Sequence, residues 1–274
     1  MRPRPGTDRQ AIIVMLRQSA VEARNVVSAS IGAIRLRDDY LQWADRIEWT
    51  LGQLFVGFRL TDLQTERFWH IREIREETPR PYELIYPEVE LQARRLERLA
   101  DELESAETRH RGAAGHIVVP DTNVFLHFKR FNTINWGDVV GMTPVRLVIP
   151  LRVVEELDMK KASRRRDLAS RAQNVLALLE LLVGSIGGLP AKVDDETTVE
   201  ILVNHELDPV RHDREPSADA EVLDACEFLA FVTGEPVSLV TGDVSMRLRA
   251  RVRGQTAISM PDALRATLDT PSPD

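Results

Sequence analysis

A parallel α/β sheet wrapped by helices, preceded by an all-helical region, is the fold class this sequence predicts. Three observations predict it. The hydrophobic pattern changes period near residue 112, from three- and four-residue spacing to short continuous apolar runs. Those runs have strand length and are mainly apolar, as suits strands buried on both faces. They also alternate with helical stretches, and strand–helix alternation implies parallel pairing.

The helical region comes first. Residues 11–28 place Ile12, Leu16, Ala20, Ala23 and Val27 on one face. Residues 39–56 repeat the pattern with Leu41, Trp43, Ile47, Leu51, Leu54 and Phe55. Residues 61–74 give a third helix opening on the capping pair Thr61-Asp62. Pro79, Pro81 and Pro87 read as a break, because three prolines cannot all lie inside helices. A long charged helix follows over 89–110, with a seam of Leu96, Leu99, Ala100 and Leu103. Trp43, Trp49 and Trp69 are expected in the core of this region. Gly112 to Gly115 is a short linker. Beyond it the strands are 116–120, 145–149 and 237–241, with 198–203 and 257–260 as further candidates. The helices between them are 151–159, 168–182, 218–232 and 244–253. Polar residues 204–217, which include His205 and His212, read as a mobile loop. The expected domains are therefore 1–111, 116–266 and a disordered tail, 267–274.

Composition narrows the class. With 43% hydrophobic residues in 274, the chain can bury one large core or two modest ones. A net charge of −7 argues against a nonspecific nucleic-acid coat, though it leaves the local field at a site open. The single cysteine, Cys226, excludes an internal disulfide and Cys-x-x-Cys zinc sites, and its apolar surroundings suit a buried thiol. A cytoplasmic protein with no membrane span is expected.

In an open parallel sheet, ligands bind beyond the carboxyl ends of the strands. Four separate acidic positions fall there. The first strand ends at Asp121. The second runs through Pro150 into a helix carrying Glu155, Glu156 and Asp158. Asp219 lies in the first turn of a later helix, and the third strand leads to Asp243. Two unit charges ~4 Å apart repel by about 4 kcal/mol at an effective dielectric of 20. Such a cluster either protonates in part or takes up a cation. Carboxylates without histidine or cysteine favour Mg²⁺ or Mn²⁺, ions suited to phosphoryl chemistry. Taken singly, each acid also has a plain structural reading. Asp121 could cap a helix, Asp219 could serve the helix dipole, and Asp243 could sit in a turn.

The run VVPDTNVFLHF resembles the opening motif of PIN domains, a strand followed by Asp-Thr-Asn and an apolar helix. VIPLRVVEELD resembles the second motif, SADAEVLDACEFLA the third, and SLVTGDVSMRLRA the fourth. All four occur in the family's order over residues 116 to about 264. The resemblance implies a PIN-like three-layer fold and a metal-dependent ribonuclease. Position by position, it makes Asp121 the central metal ligand and Glu156, Asp219 and Asp243 the other catalytic acids. It makes Asn123 and Thr241 polar groups that orient them. Glu155 adjoins Glu156, but a helix points neighbours ~100° apart, so only one faces the site directly. Asp224 is a supporting candidate. Ala220 stands where many relatives carry a second Asp, a departure that makes the third motif the weakest match.

Basic residues beside the acids would bind phosphate. Lys160, Lys161, Arg164 and Arg165 follow the second motif, and Arg247 follows the fourth. On a helix, Arg247 and Arg251 share one face and Arg249 and Arg253 another; one pair could meet RNA while the other pairs with acids. Trp136 is a candidate rim residue. The resemblance implies cleavage of single-stranded RNA to a 3′-hydroxyl and a 5′-phosphate, by a toxin-like or RNA-processing enzyme. The competing class is an inactive PIN-fold scaffold that binds RNA or protein. Partners to expect are single-stranded RNA, a second copy of the chain through the N-terminal helices, and a protein inhibitor. Asn123 replaces the second Asp of an Asp-x-Asp phosphatase signature, which disfavours a phosphoryl-enzyme route.

Overall fold

The computed structural model describes residues 2–4, 6–30, 32–56, 64–184, 190–203 and 217–266. The chain divides into two compact units, one through Arg109 and one from His110 onward.

The first unit is helical. A two-stranded antiparallel ribbon pairs β1 (Arg2–Pro3) with β2 (Phe55–Val56). Between them lie α1 (Arg9–Ala29) and α2 (Ala33–Leu54). Asp8 caps α1 by accepting from the Ala11 amide at 2.7 Å. Next come α3 (Glu66–Arg72) and α4 (Pro81–Arg111). The predicted cap Thr61-Asp62 lies outside the described residues, and Thr65 caps α3 by accepting from the Phe68 amide at 3.1 Å. The α4 helix starts well before the expected Val89. Pro81 takes the first helical position, where an N–H has no partner to lose. Pro87 lies inside the helix on an exposed face, where water can reach the Glu83 carbonyl to which Pro87 has no N–H to donate. A buried polar cluster ties three helices together. Glu88 accepts from Thr65 and Gln92, each at 2.8 Å, and from Tyr40 at 3.4 Å.

Two of the three tryptophans expected in this core are not there. Trp43 is buried, with Nε1 donating to the Ser19 carbonyl at 3.2 Å. Trp49 is 68% exposed and Trp69 49% exposed. Each sits just off its helix's buried stripe: Ile47 and Leu51 flank Trp49, and Phe68 and Ile71 flank Trp69.

The second unit is a six-stranded sheet. Its elements, in chain order, are β3 (His116–Pro120), α5 (Thr122–His127), α6 (Trp136–Val140), β4 (Val145–Pro150), α7 (Leu151–Lys160) and α8 (Arg166–Val183). They continue with β5 (Ala191–Lys192), β6 (Thr197–Leu202), α9 (Ala218–Thr233), β7 (Val237–Thr241), α10 (Val244–Val252) and β8 (Thr256–Ser259). The strand order is β5-β6-β4-β3-β7-β8, parallel except where β5 meets β6. The expected strands and helices of this half are all present, with boundaries shifted by one or two residues. The two-residue edge strand β5 was not anticipated. Residues 204–216, with His205 and His212, and the tail 267–274 lie outside the described residues.

From β3 the chain steps to β4 and β6 on one side, then crosses to β7 and β8 on the other. The strand order therefore reverses between β3 and β7, which opens a crevice at their carboxyl ends. The core around the sheet includes Ile117, Val119, Leu147, Ile149, Leu239 and Trp136. Trp136 is fully buried and donates to the Phe131 carbonyl at 2.8 Å, so it is a core residue and not a rim residue. Cys226 is also buried, and burial pushes its thiol pKa up. Gly115 adopts φ +116° at the entry to β3, where a side chain would also crowd the Pro144 carbonyl at 3.2 Å.

Two charged residues sit inside otherwise apolar strands. Arg146 of β4 and Glu200 of β6 are 1% and 3% exposed. In the parallel register Arg146 faces Thr198 and Glu200 faces Val148, so the two are diagonal neighbours on one face. Arg146 Nε donates to Glu200 at 2.8 Å, and its Nη atoms reach the His110 carbonyl at 2.6 Å and His110 Nδ1 at 3.0 Å. Burial alone would raise the Glu200 pKa, but His110 and Arg146 together hold it below the usual range.

Candidate active site

Asp121 follows β3 directly at the crevice and is 5% exposed. Its amide extends the β3–β7 ladder by donating to the Val240 carbonyl at 3.0 Å. Its carboxylate accepts from Thr241 Oγ1 at 2.9 Å and from Asn123 Nδ2 at 3.3 Å. It does not cap α5 with its side chain. Burial drives its pKa up to about 6. The Thr241 and Thr122 hydrogen bonds oppose that rise, and the charges of Asp219 and Glu156 add to it.

The other acids arrive from different elements. Glu156 lies on α7, and its Oε2 accepts from Thr122 Oγ1 at 2.5 Å. Glu155, its neighbour, turns toward Arg152 at 3.7 Å. Asp219 is in the first turn of α9 and pairs with Arg249 at 2.9 Å. Asp224 pairs with Arg253 at 2.6 Å. Arg249 and Arg253 thus form the pair that meets acids. Arg247 instead donates to the Thr241 carbonyl at 3.3 Å. Asp243 caps α10 by accepting from the Ser245 amide at 2.7 Å, and its own amide donates to Thr241 Oγ1 at 3.0 Å. Thr241 therefore links the ends of β3 and β7. Gly242 permits this turn, since a Cβ there would come within 3.0 Å of the Phe128 ring.

The charges of Glu156 and Asp219 thus reach Asp121, and Asp243 stands one strand away through Thr241. The donors are carboxylate, hydroxyl and amide oxygens, the chemistry that a hard divalent ion takes. Among the described residues, no three or more His, Cys, Asp or Glu side chains close into a ready metal cage. Each of the three partner acids has one carboxylate oxygen bound to Thr122, Arg249 or the Ser245 amide.

The family model for the PIN domain matches residues 118–261, just over half of the 274-residue chain. The chain belongs to the PIN-domain family. PIN domains are a nuclease-like fold family that typically uses divalent metals. No curated protein matches the chain significantly. Among the described residues, no helix is long and apolar enough to cross a membrane.

The basic residues of the PIN unit divide into two sets. Lys160 and Arg164 are exposed, Lys161 pairs with Asp158 at 2.5 Å, and Arg165 pairs with Asp167 at 2.7 Å. A second set went unnoticed in the sequence. His127 ends α5, six residues of helix beyond Asp121, or about 9 Å at 1.5 Å per residue. Its pKa is lowered by burial and by the charges of Arg165, Arg171 and Arg265. Arg171 donates to the Leu126 and Phe128 carbonyls at 3.4 and 3.2 Å, and Arg265 lies over the Phe128 ring at 5.3 Å. Arg171 and Arg265 lie far from His127 in sequence, and only the fold brings the three together.

Proposed function

We propose that this PIN unit is a divalent-metal-dependent endoribonuclease acting on single-stranded RNA, leaving a 3′-hydroxyl and a 5′-phosphate. Asp121 carries the reading: a carboxylate buried at the sheet's switch point, with two further acids adding their charge to its own. A structural aspartate would be exposed or neutralised by a cation of the protein. Instead, the Asp121 carboxylate accepts from the Thr241 hydroxyl and the Asn123 side-chain amide. Asp121, Glu156, Asp219 and Asp243 would hold Mg²⁺ or Mn²⁺, and oxygen donors favour these ions over zinc. Such an ion, when bound, supplies an activated water and countercharge for the scissile phosphate.

The remaining chemistry belongs to the chain. Thr241 and Asn123 fix the Asp121 carboxylate, and Thr122 fixes Glu156. Arg171 near His127 offers positive charge for a phosphate backbone, whereas Arg165 and Arg265 beside it are paired with Asp167 and Asp262. Purified protein should cleave unstructured RNA with Mn²⁺ or Mg²⁺ and stop in EDTA, and Asp121→Asn should abolish cleavage. A variant that cuts as fast as the parent would remove Asp121 from the site. The ion pair between Arg249 and Asp219 favours a second reading, a PIN-fold scaffold that binds RNA without cutting it. RNA binding with no metal-stimulated turnover on any of several RNAs would establish that reading instead.

A further inference from the structure

The helical unit holds a feature that the cleavage site does not use. Trp69, on α3, is 49% exposed and lines an open cleft of 710 Å³ with Arg37, Arg72, Glu73, Ile74 and Arg75. Exposing half an indole has a cost in water, and three arginines beside it set the chemistry of what could cover it. The ring is firmly held. A chain of aromatic contacts runs from the core to the surface: Trp43 to Tyr40 at 5.9 Å, Tyr40 to Phe68 at 6.4 Å, and Phe68 to Trp69 at 5.6 Å. Trp43, Tyr40 and Phe68 are buried, so the last ring of the series projects from a rigid base. The Arg72 guanidinium lies over the indole, 5.7 Å from its centroid.

The charges of the cleft favour an anion. Three arginines face one glutamate among the lining residues. Arg37 is anchored by Asp38 at 2.7 Å and by donating to the Ile74 carbonyl. Arg72 and Arg75 are exposed. An aromatic plate beside exposed guanidinium groups is the combination that stacks an unpaired base and neutralises its phosphate. A purely apolar partner would leave the arginines without a role, and a simple anion would leave the indole without one.

We propose that the Trp69 cleft is a binding site for single-stranded RNA, taking one unpaired base against the indole and the adjoining phosphates on Arg72 and Arg75. The choice of RNA over other strands rests on the ribonuclease reading above. The site itself is separate from the acids of the PIN unit.

The test is binding of a fluorescently labelled oligouridylate, roughly ten nucleotides long, by the full chain in EDTA, read by anisotropy. Trp69→Ala should weaken binding about tenfold, the usual loss for one stacked base. Replacing Arg72 and Arg75 together by alanine should weaken binding and flatten its salt dependence by about 1.4 in log–log slope, at about 0.7 per phosphate contact. Trp49→Ala is the control, since Trp49 is the more exposed indole but does not line the cleft. Trp69→Ala binding like the parent overturns the proposal, as does an equal loss from Trp49→Ala. Displacement by uridine monophosphate at concentrations no higher than the oligonucleotide's also overturns it, in favour of a free-nucleotide site. Because no turnover is measured, these outcomes are independent of cleavage. A chain that binds through Trp69 and never cuts would sink the nuclease reading alone.

Discussion

Replacing Asp121 by asparagine should make the metal-free protein more stable. The carboxyl group is buried and its pKa stands at about 6, against an ordinary 3.8. At about 1.36 kcal/mol per pKa unit, ionised Asp121 costs the fold about 3 kcal/mol. The native state keeps this proton up to about pH 6, whereas the unfolded chain loses it near 3.8. The fold therefore has its full stability from this group below the lower value and loses it as pH rises through the upper one. Asparagine carries no charge to desolvate and keeps an oxygen that can accept from Thr241. In EDTA at pH 8 the variant should melt roughly 6–12 °C above the parent, at about 2–4 °C per kcal/mol for a chain of this class. The difference should shrink as pH falls and vanish near pH 4. Melting curves followed by circular dichroism at several pH values measure it. Adding Mn²⁺ should raise the parent's midpoint and leave the variant's unchanged, because only the parent gains from binding. A variant that melts below the parent at pH 8, or a gap that ignores pH, would refute the electrostatic reasoning.

Three further outcomes follow from named contacts. Asp243→Ala should cost about 1 kcal/mol through the lost α10 cap, whereas Asp243→Ser should keep the cap and lose only the carboxylate; comparing their melting points and cleavage rates separates the two roles. Thr241→Val removes a hydrogen bond that lowers the Asp121 pKa, so in EDTA the loss of stability with rising pH, followed by melting curves, should extend to higher pH than in the parent, with the shift absent if Thr241 only fills space. Glu200→Ala should destabilise the sheet unit by about 3–5 kcal/mol by leaving Arg146 buried without its carboxylate, and a denaturant titration showing less than 1 kcal/mol (about a fifth of the upper figure) would contradict that.

The parts of the fold that could be read from the sequence are those where burial is uniform. HIVVP, VRLVI and VSLVT announce themselves because a strand covered on both faces has no polar side to blur its pattern. The crevice could be read as well, since strand order and carboxyl ends follow from topology. The start of α4 could not: Pro81 and Pro87 look like breakers, and only the structure shows one at a first turn and the other on a solvated face. Trp49 and Trp69 were misplaced for a related reason. An indole one position off a buried stripe looks the same in a sequence as one on it. The acids were visible as a set, but their individual bonds were not. Nothing in VTGDV distinguishes a helix cap from a ligand, and the Arg249 partner of Asp219 lies thirty residues away. Arg146 and Glu200 break two apolar runs, and their pairing needs a strand register that periodicity cannot supply.

The Arg146 cluster bears on where this protein can be divided. Part of its hydrogen bonding comes from the His110 carbonyl and imidazole and from the Ala113 carbonyl, all upstream of β3. A fragment trimmed to begin at His116 would keep every strand of the six-stranded sheet and every candidate acid. It would nonetheless strand a guanidinium in the interior with fewer acceptors than it has in the whole chain. Cutting at least six residues earlier, ahead of His110, retains the residues that solvate that charge from within.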